Sequence, residues 1–364
     1  MTNSLRNTTK AYRQRIPDQE EKEMSTFSIT EREIYVDHEK NRRSGHMGHA
    51  LVDCGNGRIL DFNSNVDYDR VEGHSGYGWM EYRISEDYGK TFGETRILPY
   101  SMKMYEEGIH TALCEKAVKA PDGRILLFFQ ITDAREAIAC EPWSAPTMAV
   151  STDNGETFSD GFDIGADAGR IYDAVCDNEY IYFLMEANEH FLGTRPEHVY
   201  KVYRAGKDLV FHPTVLPISA FGKGYGALAF SEDGALYAYA YDSNDEYHLA
   251  YSVSYDKGQT WSEERKSYVA KRIRNPQIQR VGSDWFLIGR NGGDGDGLVL
   301  YHGNDGIHWD AGVMADVRPV PGCAYYSNML PIYESGKTPR ILMQYSHVYN
   351  SNRVNIAHRL IQLQ

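Results

Sequence analysis

Long apolar runs are missing from this chain. The longest, "ILLFF" at 125–129, falls far short of the roughly 20 residues that a membrane-spanning helix needs. The opening stretch, "MTNSLRNTTKAYRQRIPDQEEKEMSTF", has no apolar core of the kind a secretory signal requires. A cytoplasmic location without a membrane partner is therefore expected. Basic charge is also scarce: 38 Lys and Arg stand against 51 Asp and Glu, a formal net charge of −13. Nucleic acids and anionic membranes are held by a basic field, so this balance argues against both. An acidic ligand would have to be held by a few groups at short range. Cysteine is sparse as well. The five, at 54, 114, 140, 176 and 323, are odd in number and form neither a CxxC pair nor a Cys/His metal spacing. Reduced, mostly buried thiols are the expectation, with no metal and no other cofactor.

Helical periodicity is rare too, whereas Tyr (27) and Gly (33) are abundant. Short apolar runs alternate with turn residues at close spacing, which points to an all-β chain. The 364 residues could make two average domains or one repeat-built domain; repeats decide between them. "SEDYGKTF" at 85, "STDNGETF" at 151 and "SYDKGQTW" at 254 share the pattern Ser-x-Asp-x-Gly-x-Thr-aromatic, and "HGNDGIHW" at 302 is a worn fourth copy. The pattern describes a hairpin turn. Asp accepts bonds from turn amides, Gly supplies a positive φ, Thr bonds locally and the aromatic packs between sheets. Its role is structural.

The starts are 66, 103 and 48 residues apart, and the 103-residue gap is about two units, so one unit has lost its turn motif. A second turn recurs ahead of the first, as "GNGRIL" at 55, "PDGRIL" at 121 and "EDGALY" at 232. Each unit thus reads as a four-stranded antiparallel sheet. Units begin near 46, 108, 170, 223, 273 and 323, and "REIYV" at 32–36 is available to complete the last. Six such sheets around an axis make a six-bladed β-propeller over residues 29–364, preceded by an N-terminal extension, 1–28.

The Asp-box turns on six repeats resemble the sialidase superfamily over roughly residues 30–364. The resemblance implies a site at one end of the axis, built from innermost strand starts and the loops after second strands, with the boxes at the opposite rim. It also implies three arginines that clamp a carboxylate, an Asp acid/base and a Tyr nucleophile activated by a Glu. Two of these six groups find a match. "GCAYYSNMLPI" fits the nucleophile strand, with Tyr325 or Tyr326 as the tyrosine, and "WFLIGRNGG" places Arg290 as a clamp arginine. "HMGHALV" puts Met47 or a histidine where the first arginine would stand, and Arg43 lies four residues early. "RVEGHSGYGW" offers Glu72 and His74 rather than an Asp, and Tyr225 and Tyr241 replace the expected Glu and second arginine.

The remaining proton-exchanging groups are imidazoles at blade mouths: His46, His49, His74 and His110. Histidines, a tyrosine and an arginine also resemble, more weakly, the propeller lyases that act on uronate-containing glycans. Arg290, Arg353, Tyr172, Tyr225, Gln277 and Glu141 complete the expected binding set. "RNGGDGDG" at 290–297 lacks both phosphate-loop and calcium-loop spacing and reads as a site loop. The expected function is cleavage of a glycosidic bond at an acidic sugar, uronate or sialate, in a small oligosaccharide, with His/Tyr acid–base groups. An exo-sialidase with a Tyr nucleophile and a non-catalytic glycan-binding propeller are the alternatives.

Overall fold

The turn motifs bend the chain as their chemistry requires. In a computed structural model describing residues 26–45, 49–67, 76–133, 144–188, 198–293, 295–320, 325–351 and 353–364, Asp153 Oδ1 accepts Thr157 N at 2.9 Å and its Oδ2 accepts the Thr157 hydroxyl at 2.5 Å. Gly155, at φ +86°, donates its N–H to the Ser151 hydroxyl at 2.8 Å. Asp87 and Asp256 repeat the pattern with Thr91 and Thr260. In the worn copy Asp305 still accepts the amides of Ile307 and His308, both at 2.8 Å, with His308 standing where the others have Thr.

These turns join third to fourth strands of antiparallel sheets. Two short strands, β1 (Phe27–Ile29) and β2 (Glu33–Val36), precede the first full sheet. Blade one is β3 (His49–Gly55), β4 (Arg58–Asp67), β5 (Tyr77–Ser85) and β6 (Arg96–Ile97). A helix, α1 (Pro99–Glu107), leads to blade two: β7 (His110–Lys119), β8 (Ile125–Asp133), β9 (Thr147–Ser151) and β10 (Phe162–Asp163). Blade three is β11 (Gly169–Cys176), β12 (Ile181–Ala187), β13 (Val199–Ala205) and β14 (His212–Ser219). It fills the 103-residue gap and lacks the motif, its last two strands being joined by "GKDLVF" at 206–211. Blade four is β15 (Lys223–Phe230), β16 (Leu236–Asp242), β17 (His248–Ser254) and β18 (Arg265–Tyr268), and blade five β19 (Arg274–Val281), β20 (Asp284–Arg290), β21 (Gly297–Gly303) and β22 (Val313–Val317).

Blade six, β23 (Ser327–Ile332), β24 (Arg340–Asn350) and β25 (Arg353–Leu363), is completed by the N-terminal strands, since β1 and β2 both pair with β25. Innermost strands touch in the order β3, β7, β11, β15, β19, β23 and back to β3, so the ring closes. The chain is a six-bladed propeller of four-stranded sheets. Second strands, clamped between neighbouring blades, are buried on both faces, as in β8; this explains their unbroken apolar runs. The outermost β14 alternates instead, with one side in solvent. Cys54 and Cys114 are buried and Cys176 half-buried, all three as free thiols; Cys140 and Cys323 lie outside the described residues. No described helix is long and apolar enough to cross a membrane.

Candidate functional site

Five innermost strands break register: β3 does so between Asp53 and Gly55, next to its hairpin, and four others do so nearer the opposite end, β7 between Cys114 and Lys116, β11 between Ile171 and Asp173, β15 between Lys223 and Gly226, and β19 between Arg274 and Gln277. A bulge re-aims the extra side chain, and in these four the re-aimed residues gather at one end of the axis. The turn motifs lie at the other end, because β5 closes on Ser85 opposite Ile59, beside the last residues of β3.

The mouth converges on a cavity of about 40 Å³ lined by His49, Glu115, Lys116, Arg170, Tyr172, Tyr225, Gln277, Tyr326 and Asn328, among others. Arg170 binds Glu115 bidentately, Nε to Oε1 at 2.8 Å and Nη2 to Oε2 at 2.7 Å, with both side chains buried. Burial works against the Arg170 charge, but Glu115 and Tyr225 outweigh it and hold the guanidinium cationic. Its remaining arm donates to the Tyr225 hydroxyl at 2.9 Å. The Tyr225 ring lies 4.7 Å from Tyr172 and stands edge-on, 5.8 Å from Tyr326. On the far side Arg274 donates to the Tyr241 hydroxyl through Nε (3.0 Å) and Nη2 (2.8 Å), and Glu246 lies 3.3 Å from the same Nε. Tyr326 sits within electrostatic reach of both Arg170 and Arg274.

Glu186, near the end of β12, accepts the Tyr172 hydroxyl at 3.0 Å, and burial pushes its carboxyl up to about 7 against the pull of the Tyr172 and Asn188 hydrogen bonds. The floor is a cross-axis clasp: Lys116 of blade two donates to Gln277 of blade five at 2.6 Å and to Asn328 of blade six, with Asp173 of blade three 3.7 Å away.

Of the residues expected from sequence, Tyr172, Tyr225, Gln277, Tyr326 and His49 line this cavity. Tyr325 does not. It is fully buried in the core between blades five and six, and burial raises its hydroxyl pKa. His49 is buried beside Asn328 (Nδ1 to Nδ2, 2.8 Å) and Gln344 (3.2 Å), and burial, with Lys116 nearby, pushes its imidazole down to about 3. Arg290 ends β20 in register with Arg274, near Tyr241. Arg353 stands at the rim, donating to the Arg42 carbonyl at 2.9 Å, and His110 is half-buried at the start of β7. His46, His74 and Glu141 lie outside the described residues. Sequence reasoning passed over Glu115, Arg170 and Arg274. An arginine heading an inner strand, as in "GRIYD" and "IRNPQ", was the available signal for two of them.

No family model and no curated protein matches the sequence. Solved structures do match in shape. A protein of unknown function from Dyadobacter fermentans superposes with TM-score 0.72 at 12% identity, over 93% of this chain and 99% of that one. A mutant of NanB sialidase from Streptococcus pneumoniae gives 0.66 at 11%, over 92% and 71%. This is the six-bladed propeller fold that sialidases share. An α-L-arabinanase from Penicillium chrysogenum, complexed with arabinobiose, has it too, at TM-score 0.60 and 11% identity over 93% and 97%.

Proposed function

We propose that the protein is a glycosidase-like enzyme that hydrolyses a glycosidic bond at an acidic sugar. The observation that carries the reading is the grouping of Tyr326 and Tyr225 with two guanidinium groups, Arg170 and Arg274, at the axial mouth. Tyr326 is the nucleophile, attacking as the phenolate, and Arg170, immobilised by Glu115, and Arg274 stand where they steady its negative charge. Arg274 and Arg290, paired in register across β19 and β20, hold the substrate carboxylate. Glu186 keeps its proton into the neutral range and serves as the acid. With the Glu186 proton turned onto the Tyr172 oxygen, the Tyr172 hydroxyl protonates the departing oxygen as Tyr326 bonds to the sugar, leaving Glu186 ionised; water then displaces Tyr326 as the phenolate and its proton returns through Tyr172 to Glu186.

Elimination has less support. It needs a base near neutral pH to take a ring proton, and His49, the one histidine that lines the described cavity, is pushed down to about 3 and too weakly basic. The test is mass spectrometry of products from sialylated and uronate-bearing oligosaccharides. Products carrying one added water, and their loss in Tyr326→Phe, are expected. Cleavage without added water would replace hydrolysis by elimination, and binding without cleavage would make the protein a glycan-binding propeller.

A further inference from the structure

Away from the cavity, the turn "DSNDEYH" at 242–248 joins β16 to β17 on the mouth side of blade four. Asp242 Oδ1 is occupied, accepting Asn244 N at 2.9 Å and Asp245 N at 3.4 Å. Its Oδ2 faces His248 Nε2 at 3.3 Å. The Asp245 carboxylate takes the other ring nitrogen, Nδ1, at 3.1 Å, the contact by which a carboxylate orients a metal-binding imidazole. His248 is only 3% exposed, and its Nε2 is enclosed with no hydrogen-bond partner, the approach to Asp242 being too poorly aligned for one. A buried imidazole nitrogen and a carboxylate oxygen therefore face each other at 3.3 Å with no hydrogen bond between them. Asp242, Asp245 and His248 can each present a ligand atom to a single small region.

We propose that this turn binds a divalent cation of the zinc class, with Asp242 Oδ2 and His248 Nε2 as ligands and Asp245 as the carboxylate that orients the imidazole. Ligands at 2.0–2.1 Å from a tetrahedral zinc lie about 3.3 Å apart, the separation found here. One carboxylate oxygen and one imidazole nitrogen suit zinc better than the all-oxygen shells of calcium or magnesium. The remaining positions fall to water. Lys223, within electrostatic reach of Asp242, opposes a cation, but it is itself 3.3 Å from Glu264.

The consequence reaches the mouth. The same turn carries Glu246, whose carboxylate accepts Gly293 N at 3.1 Å and lies 3.3 Å from Arg274 Nε. A metal that ties the end of β16 to the start of β17 would hold Glu246, and with it Arg274, in place. The site stands or falls independently of the proposed activity.

The experiment is calorimetric titration of chelator-stripped full-length protein with zinc(II), together with the visible spectrum of the cobalt(II) form. One equivalent is expected, with a rise in melting temperature on zinc addition. Asp242→Asn, close to isosteric, and His248→Gln should each weaken binding at least 100-fold, and Asp245→Asn about 10- to 100-fold. Absence of binding to wild type overturns the proposal. So does binding that survives unchanged in Asp242→Asn and His248→Gln. If His248→Gln fails to fold, Asp242→Asn and the ligand-field bands of cobalt on wild type still decide.

Discussion

Replacing Glu186 by Gln should stabilise the protein, increasingly so as pH rises. The ordinary glutamate value is 4.5, and in the folded chain burial lifts it to about 7. Between those values the unfolded chain has released the proton while the folded chain keeps it. Folded protein thus binds more protons, and its stability falls as pH increases. Each tenfold change in proton concentration costs about 1.4 kcal/mol, so the penalty is about 1 kcal/mol at pH 5 and about 3 kcal/mol at pH 8, where it levels off. Gln accepts the Tyr172 hydroxyl as Glu does but carries no charge to desolvate. Urea denaturation of wild type and Glu186→Gln at pH 5 and pH 8 therefore reads the effect as a difference in which every other titrating group cancels. The gap in favour of the variant should widen by about 2 kcal/mol over that range. Tyr172→Phe provides the control. It removes a bond that holds the carboxyl down, so the descending limb should move to higher pH. A gap between Glu186→Gln and wild type that stays constant from pH 5 to pH 8 would refute the reasoning, because Glu186 would then be ionised throughout.

His49 works in the opposite sense. Its imidazole, ordinarily at 6.5 and here pushed down to about 3, stays neutral when folded while the unfolded chain takes up a proton, so stability is lost as pH falls below 6.5. At pH 5 the loss is about 2 kcal/mol relative to pH 7.5, and urea curves of His49→Gln should lack that share of the acid limb. Arg274→Lys keeps the charge but gives up the fork that grips Tyr241, and should weaken binding of an acidic oligosaccharide by roughly 1–3 kcal/mol in a titration while a neutral analogue is unaffected. At the other end of the axis, Gly155→Ala sets a β-carbon against Leu60 at a positive φ, and should lower stability by a few kcal/mol, roughly, without changing turnover. A turnover loss at unchanged melting temperature would place that turn in the site.

The fold was legible because its punctuation is chemical. Ser-x-Asp-x-Gly-x-Thr must turn, and the apolar runs between turns are too short for helices. The unit starts read near 46, 108, 170, 223, 273 and 323 fall within four residues of the first residues of β3, β7, β11, β15, β19 and β23. The site was less legible, because alternation stops being a guide where a strand bulges. Glu115 sits mid-strand in "LCEKAV", where a period of two assigns it no special direction, yet the break between Cys114 and Lys116 makes it the partner of Arg170. Arg170 and Arg274 were missed by one or two residues for the same reason. Tyr326 was separable from Tyr325 only once the direction of each ring was known: just ahead of β23 the two point to opposite sides, Tyr325 into the core and Tyr326 to the cavity.

The bulges also divide charge along the axis. Arg170 is neutralised by Glu115, Lys116 is held by two amide oxygens with Asp173 nearby, and Glu186 keeps its proton, so the inner wall of blades two and three presents little net charge. The Arg274 and Arg290 pair on blade five puts two arginines in register, with Glu246 of the adjoining turn 3.3 Å from Arg274 Nε. A surface at −13 repels an anion at long range, but that repulsion is screened beyond roughly 8 Å at physiological salt. On the proposed reading, short-range guanidinium contacts at the mouth select an acidic group that the molecule as a whole disfavours. The phenol-lined wall opposite offers the rest of the sugar flat surfaces and hydroxyls without a competing charge. On the proposed function, specificity for the acidic sugar would depend on blade five, and the chemistry on blades three and six.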